Sequence, residues 1–124
     1  NTFSSTEDIR DNCYYCTCPK ANLYIEGKLP DYSIFNSEKL CVGTDSLASN
    51  NSLSILDELL IIQENSKFSL ENLLKISSKN GAKILGFTNL GTFEKGKTPG
   101  INLIQEVIEF KLSKKSTVKT IKVK

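Results

Sequence analysis

The chain has 124 residues, 39% of them hydrophobic and 24% charged, with a net charge of +2, the composition of one globular domain large enough to bury a core. Its longest apolar run, Leu59 to Ile62, is too short for a membrane-spanning helix, and its length is about half of the roughly 250 residues that an eight-stranded α/β barrel needs. Charge divides the chain, with residues 1–90 carrying a net −3 and residues 91–124 a net +5, so the two parts are expected to have different structural roles.

Ser5-Thr6-Glu7-Asp8 reads as a short helix start, with Ser5 as N-cap and Asp8 placed to reach back to it. Cys13 to Cys18 then has Tyr, Thr and Cys on both alternating faces, the pattern of a strand covered on both sides. Pro19 stops it. Residues Lys20 to Leu29 read as an irregular loop, and Pro30-Asp31 as the opening of a helical turn through Phe35. Leu40-Cys41-Val42-Gly43-Thr44 is the next buried strand. Ser52 is expected to begin a largely buried helix, with Leu53, Leu56 and Leu60 on one stripe beside Ile55, Leu59 and Ile62. Glu64-Asn65-Ser66-Lys67 breaks it, Ser69 caps a second helix carrying Leu70, Leu73 and Leu74, and that pattern falters at Ser77-Ser78. A last short helix over residues 81–86 closes at Gly86. Helix alternating with strand over residues 5–62 implies parallel strands joined by crossovers.

From Gly91 the pattern changes to turns at Gly91, Gly96, Pro99 and Gly100 and to alternating residues. Ile101 to Ile104 reads as a strand, Ile108, Phe110 and Leu112 as a second, Lys114-Lys115 as a hairpin tip, and Ile121 and Val123 as a third. A two- or three-stranded antiparallel piece of this kind needs a partner sheet.

The strand over residues 40–44 ends by delivering one carboxylate, Asp45, into a loop rich in Ser, Asn and Thr. A carboxylate at the carboxyl end of a parallel strand is how α/β barrels place catalytic groups, while the ordinary alternative is an Asx turn or a helix cap. Cys18-Pro19-Lys20-Ala21-Asn22, Gly43-Thr44-Asp45-Ser46 with Ala48-Ser49-Asn50, Asn80-Gly81-Ala82-Lys83-Ile84-Leu85-Gly86, and Gly91-Thr92-Phe93-Glu94-Lys95-Gly96-Lys97 occur here in order. Together they resemble the C-terminal portion of the metal-dependent amidohydrolase superfamily, in its chlorohydrolase and aminohydrolase branch.

The resemblance implies a fold of class α/β. Residues 1–90 would be the C-terminal half of a distorted (β/α)8 barrel, and residues 91–124 the returning strands of a small β-sandwich. It implies that Asp45 is the catalytic carboxylate and a metal ligand, and that Asn22 and Ser46 lie at the substrate. The cofactor would be a divalent metal, zinc or iron, and the reaction metal-assisted hydrolysis of a C–N bond in a small molecule. Pro99-Gly100-Ile101-Asn102 stands where the family has an aspartate after its Gly-Lys motif. The family's metal sites also use imidazoles, and this chain has no histidine. With no methionine either, and Asn1-Thr2-Phe3 at its start, the sequence reads as a piece of a longer hydrolase. That piece is expected to be inactive and metal-free alone, because one carboxylate is short of the three protein ligands of a catalytic zinc.

Other readings stay open at this stage. Cys13, Cys16, Cys18 and Cys41 could form a four-thiolate zinc site, although Cys13 and Cys16 would point to opposite faces of a strand. The lysines from Lys111 to Lys124 could be a nucleic-acid arm, but they alternate with apolar residues as protective edge lysines do. The chain could also be a non-catalytic structural or interaction module. Four cysteines without a secretory segment suggest a cytoplasmic protein with reduced thiols, with no nucleic-acid or membrane partner. Unpaired strand edges suggest a homo-oligomer.

Overall fold

The computed structural model describes residue 3 and residues 5–122. Ser5 caps a 3-10 turn, Thr6–Asp8, by accepting the Glu7 N–H at 3.2 Å. The reach of the Asp8 side chain back to this cap lies outside the described residues, as do Val123 and Lys124 at the end of the final alternation.

Two short strands, β1 (Tyr15–Thr17) and β2 (Leu40–Val42), pair in parallel with Cys16 opposite Cys41. The strand expected from Cys13 to Cys18 is thus three residues long. Its Tyr15 face, with Leu40 and Val42, packs on the core, while Cys16 on the other face is exposed. That other face is covered only in part among the described residues, since Cys41, opposite Cys16, is buried.

The stretch read as an irregular loop is a helix, α1 (Pro19–Glu26). Proline at the first helical position costs no hydrogen bond, because that N–H has no intrahelical acceptor. Gly27 ends the helix at φ 67°, returning its N–H to the Leu23 carbonyl, a conformation that glycine adopts without penalty. Asn22 is thereby fixed on a helix, its N–H bonded to the Cys18 carbonyl at 2.9 Å. A 3-10 turn over Tyr32–Ile34, capped by Asp31, follows as expected.

Helix α2 (Ile55–Glu64) starts after Ser54, not Ser52. The Ser52 hydroxyl instead accepts the Ser54 N–H at 3.0 Å and donates to Asp57 at 2.9 Å, so two serines share the work of ordering one helix end. Leu53 remains exposed, and Leu56, Leu59 and Ile62 form the buried stripe. Against it pack α3 (Leu70–Leu74), which opens on a Ser69/Asn72 capping box, and a π turn, Lys75–Lys79. That turn continues directly into α4 (Asn80–Ile84).

The expected break at Ser77-Ser78 is this single wide turn. Both hydroxyls donate to the Leu74 carbonyl, at 3.0 and 2.6 Å, and side-chain donors of this kind compete with the backbone for the same acceptor. The extra residue turns Asn80 inward, where it is 2% exposed.

Gly86, at φ 74°, closes α4 as expected, and Gly91, at φ 84°, folds the chain back over the helix. A Cβ at Gly91 would lie 2.8 Å from the Ala82 Cβ and 3.0 Å from the Lys79 Cα. We expect Gly91→Ala to lower stability by about 1–3 kcal/mol, since overpacking and left-handed strain add. Gly27→Ala, where nothing lies within 4 Å, isolates the strain alone. The comparison is checked by urea midpoints, and equal losses at the two sites would refute the packing part.

Beyond Gly91, β3 (Ile101–Gln105) and β4 (Thr117–Lys122) pair antiparallel, with Lys114-Lys115 in the connecting turn. The alternation Ile108, Phe110, Leu112 is not a strand. Ile108 and Lys111 bridge across Glu109 and Phe110, whose φ values of 47° and 58° have the signs of a type I′ turn. Phe110 is left outside, and Leu112 enters the core. Gln63 of α2 holds it there, donating to the Leu112 carbonyl at 2.9 Å and accepting its N–H at 2.8 Å.

Candidate functional site

The carboxyl ends of β1 and β2 open on a cleft of about 250 Å³. Both Asp45, three residues past the end of β2, and Asn22 of α1 line it, together with Cys16, Cys18, Ile25 and Phe35. Parallel pairing is what brings two segments 23 positions apart to one mouth. The Gly43 N–H extends the ladder one step by donating to the Thr17 carbonyl at 3.0 Å.

Asp45 takes a left-handed backbone conformation, φ 58°, which costs a non-glycine residue about 1 kcal/mol and persists only where neighbours enforce it. The enforcing bonds are visible. The Ser46 N–H donates to Oδ1 of Asp45 at 2.8 Å, the Ser49 hydroxyl donates to Oδ2 at 2.8 Å, and the Thr44 hydroxyl donates to the Asp45 carbonyl at 3.0 Å. Ser46 is not among the residues lining the cleft. Its N–H holds Asp45, and its hydroxyl accepts the Ala48 N–H at 3.3 Å. The bonded N–H belongs to the next residue and not to the one two further on, so the loop is not an Asx turn; the carboxylate at the strand end braces its own loop through Ser46 and Ser49.

Beneath the cleft lies a residue that the sequence pattern concealed. Glu58 falls inside the apolar stripe of α2 and is fully buried. Its carboxylate accepts the Lys20 N–H at 2.9 Å and the Asn50 Nδ2 at 2.6 Å. The same Nδ2 also reaches the Thr44 carbonyl at 2.8 Å. An acidic residue in an otherwise apolar face, eight positions after an Asn, was the only available signal.

Three of the four thiols, Cys16, Cys18 and Cys41, gather on the outer face of the strands, with both Cys16 and Cys18 sulfurs 3.4 Å from a Cβ built on Gly43. Cys13 instead donates to Asn12 Oδ1 at 3.6 Å. The Cys16 thiol is pushed up, chiefly by sharing its proton with Cys41. Burial also pushes the Cys18 thiol up to about 11, aided by Cys16 and opposed by the Asp45 N–H that donates to its sulfur.

Such a thiol binds its proton more tightly folded than unfolded, where its value is about 8.5. The stability it contributes is therefore complete below about 8.5 and is lost as pH rises toward 11. We expect alkylation of Cys18 at pH 8 to run roughly a hundredfold slower in the native chain than in urea, following thiolate fraction, as read by peptide mass spectrometry. Equal rates would contradict the burial argument.

Both Asp45 oxygens accept one donor each, which leaves lone pairs free on a carboxylate. Among the described residues, however, no group of three or more His, Cys, Asp or Glu is placed to hold a metal ion. A catalytic zinc takes three protein ligands. By themselves, then, the described residues do not complete the ligand set of a catalytic zinc.

Compared with known proteins, the chain matches the model of the amidohydrolase family over residues 2–123. It is 36% identical over 66 residues to a 5-methylthioadenosine/S-adenosylhomocysteine deaminase of Halalkalibacterium halodurans, covering 47% of this chain and 15% of that protein. It is 32% identical over 115 residues to an adenosine deaminase of Helicobacter pylori, covering 83% of this chain and 28% of that protein. A 5-methylthioadenosine/S-adenosylhomocysteine deaminase of Shouchella clausii is 33% identical over 89 residues, covering 64% of this chain and 20% of that protein. The chain thus spans between 15% and 28% of the length of these relatives. No solved structure gives a significant match.

Proposed function

The chain belongs to the amidohydrolase family, and on that basis we propose that it is the C-terminal, Asp45-bearing segment of a hydrolase that removes the amino group from an adenine nucleoside or a close derivative. The observation that carries this reading is Asp45 itself. It is a carboxylate held in a strained conformation at the mouth of two parallel strands, facing a cleft that it shares with Asn22. The deaminase names of the similar proteins support the substrate class, and dechlorination or amide cleavage fits them less well.

In this proposal, residues 1–90 are the last part of a (β/α)8 barrel and residues 91–124 the returning strands of a β-sandwich. The complete protein would use a divalent metal, zinc or iron, which lowers the pKa of a bound water to about 7, with most of its ligands supplied from outside this segment and Asp45 among them. Asp45 removes a proton from the attacking water and delivers it to the departing amino nitrogen, so that water and amine leave as a ring carbonyl and ammonia. Asn22 orients the substrate through its amide. Ser46 acts on the carboxylate by holding Oδ1 through its N–H.

The test is ammonia release by the intact protein from adenosine, 5-methylthioadenosine and S-adenosylhomocysteine. Turnover of at least one is expected, and none by residues 1–124 alone. Release from chlorinated or amide substrates with none from the nucleosides would overturn the proposal.

A further inference from the structure

Asp45 and Asn22 reach the cleft from different segments, one from a strand-end loop and one from a helix, and neither hydrogen-bonds to the other. Their mutual placement is set lower down. The N-cap of α1, Cys18, offers no side-chain bond to the helix start, yet the first N–H groups of any helix need acceptors. Glu58 supplies one from a distant helix by accepting the Lys20 N–H at 2.9 Å. A negative charge there also suits the positive end of the helix. Its other oxygen accepts Asn50 Nδ2 at 2.6 Å.

Asn50 passes that contact on to the Thr44 carbonyl at 2.8 Å, the peptide that leads directly into the left-handed Asp45. Asn50 Oδ1 in turn accepts the Ser52 N–H at 3.1 Å, which fixes the amide's orientation. Asn50 and Glu58 are 7% and 0% exposed, so the bond between them is shielded from water. A buried carboxylate retained against its desolvation cost, with both oxygens satisfied by two different site-bearing segments, calls for a reason beyond cohesion.

We propose that Glu58 is a positioning residue that fixes Asn22 and Asp45 relative to each other, through the Lys20 N–H on one side and Asn50 on the other. The geometric part of this claim stands on the contacts alone, and its catalytic meaning rests on the hydrolase reading above. Replacing Glu58 by Gln keeps the shape but presents an NH2 group to one of the two donors. That loosens either the start of α1 or the Asn50–Thr44 link.

The experiment compares two-dimensional amide NMR spectra of the 124-residue chain with those of Glu58→Gln and Asn50→Ala. Glu58→Gln is expected to shift the Asn22 side-chain amide together with the backbone amides of residues 45–49, while amides of residues 101–105 stay in place. Asn50→Ala is expected to shift the 45–49 amides and leave Asn22 unmoved. Shifts confined to Lys20 and Asn50 would overturn the proposal, as would an Asn50→Ala spectrum unchanged at Asp45 and Ser46. Should Glu58→Gln fail to fold, the Asn50→Ala spectrum still decides the Asp45 side, and Glu58→Asp, too short to reach both donors, decides the Asn22 side.

In the intact protein, Glu58→Gln is expected to lower kcat about a hundredfold with a much smaller change in KM, as misplacement by about 1 Å does. Absence of deamination by the unmutated protein would remove the hydrolase reading and leave the spectra to judge the positioning claim separately.

Discussion

Replacing Asp45 with Asn in the intact hydrolase is expected to reduce ammonia release by about 10²–10⁴-fold, the range that a positioned proton-transfer group supplies, with little change in folding. The second half of that expectation is what makes the test sharp. An asparagine can keep its oxygen on the Ser46 N–H, bonded at 2.8 Å in the native loop, and turn its NH2 toward the Ser49 hydroxyl, which can accept as readily as donate. Asparagine also tolerates the left-handed conformation at φ 58°. Loop geometry survives and the proton acceptor does not. Turnover within threefold of the native rate would remove Asp45 from the reaction, and a large fall in thermal midpoint would mean that the carboxylate serves the loop first.

Asn80 gives the largest expected effect on stability. Its Nδ2 donates to the carbonyls of Ser37 and Leu40, at 2.6 and 2.7 Å, and so ties the entry into β2 to the helical run beneath it. Asn80→Ala leaves two carbonyls without donors at a site that is 2% exposed, a loss of about 2–4 kcal/mol at the usual cost of an unsatisfied buried group. Asn80→Asp should cost more, about 3–5 kcal/mol at pH 7, because it sets a charge against two acceptors in the interior.

The introduced carboxyl would be protonated more readily in the folded chain than in the unfolded one. Its penalty should therefore shrink as pH falls from 7 toward about 4, and be nearly gone once the unfolded group also binds its proton. Urea unfolding at pH 7 and at pH 4 checks both the order and the convergence. If Asn80→Asp is the milder of the two at pH 7, the two carbonyl bonds are not what Asn80 contributes.

Local chemistry made several features legible. The Ser5 and Ser69 caps, the Gly86 terminus and the parallel order of β1 and β2 depend on neighbours within a few residues or on a simple alternation, and they are where the sequence places them. The catalytic candidate was legible for the same reason, since a buried strand running into Gly43-Thr44-Asp45 can release its carboxylate only at the carboxyl end. Helix α1 was not legible, because Pro19 stops a strand and starts a helix equally well, and its start is satisfied by Glu58, 38 residues later. The alternation at Ile108, Phe110 and Leu112 misled for a related reason. A period of two is shared by a strand and by a tight turn whose central residues point out, and only the Gln63 clamp on Leu112 separates them.

The sequence by itself determined the mixed α/β class, the family and the identity of the carboxylate at the mouth, because each is written in contiguous residues. Only the tertiary structure decided that Asn22 stands on a helix, that it shares a cleft with Asp45, and that a buried glutamate in an apolar stripe bonds the Lys20 N–H and the Asn50 amide beneath them. Those facts are hydrogen bonds between segments far apart in the chain, and such bonds leave no periodicity for a linear reading to find.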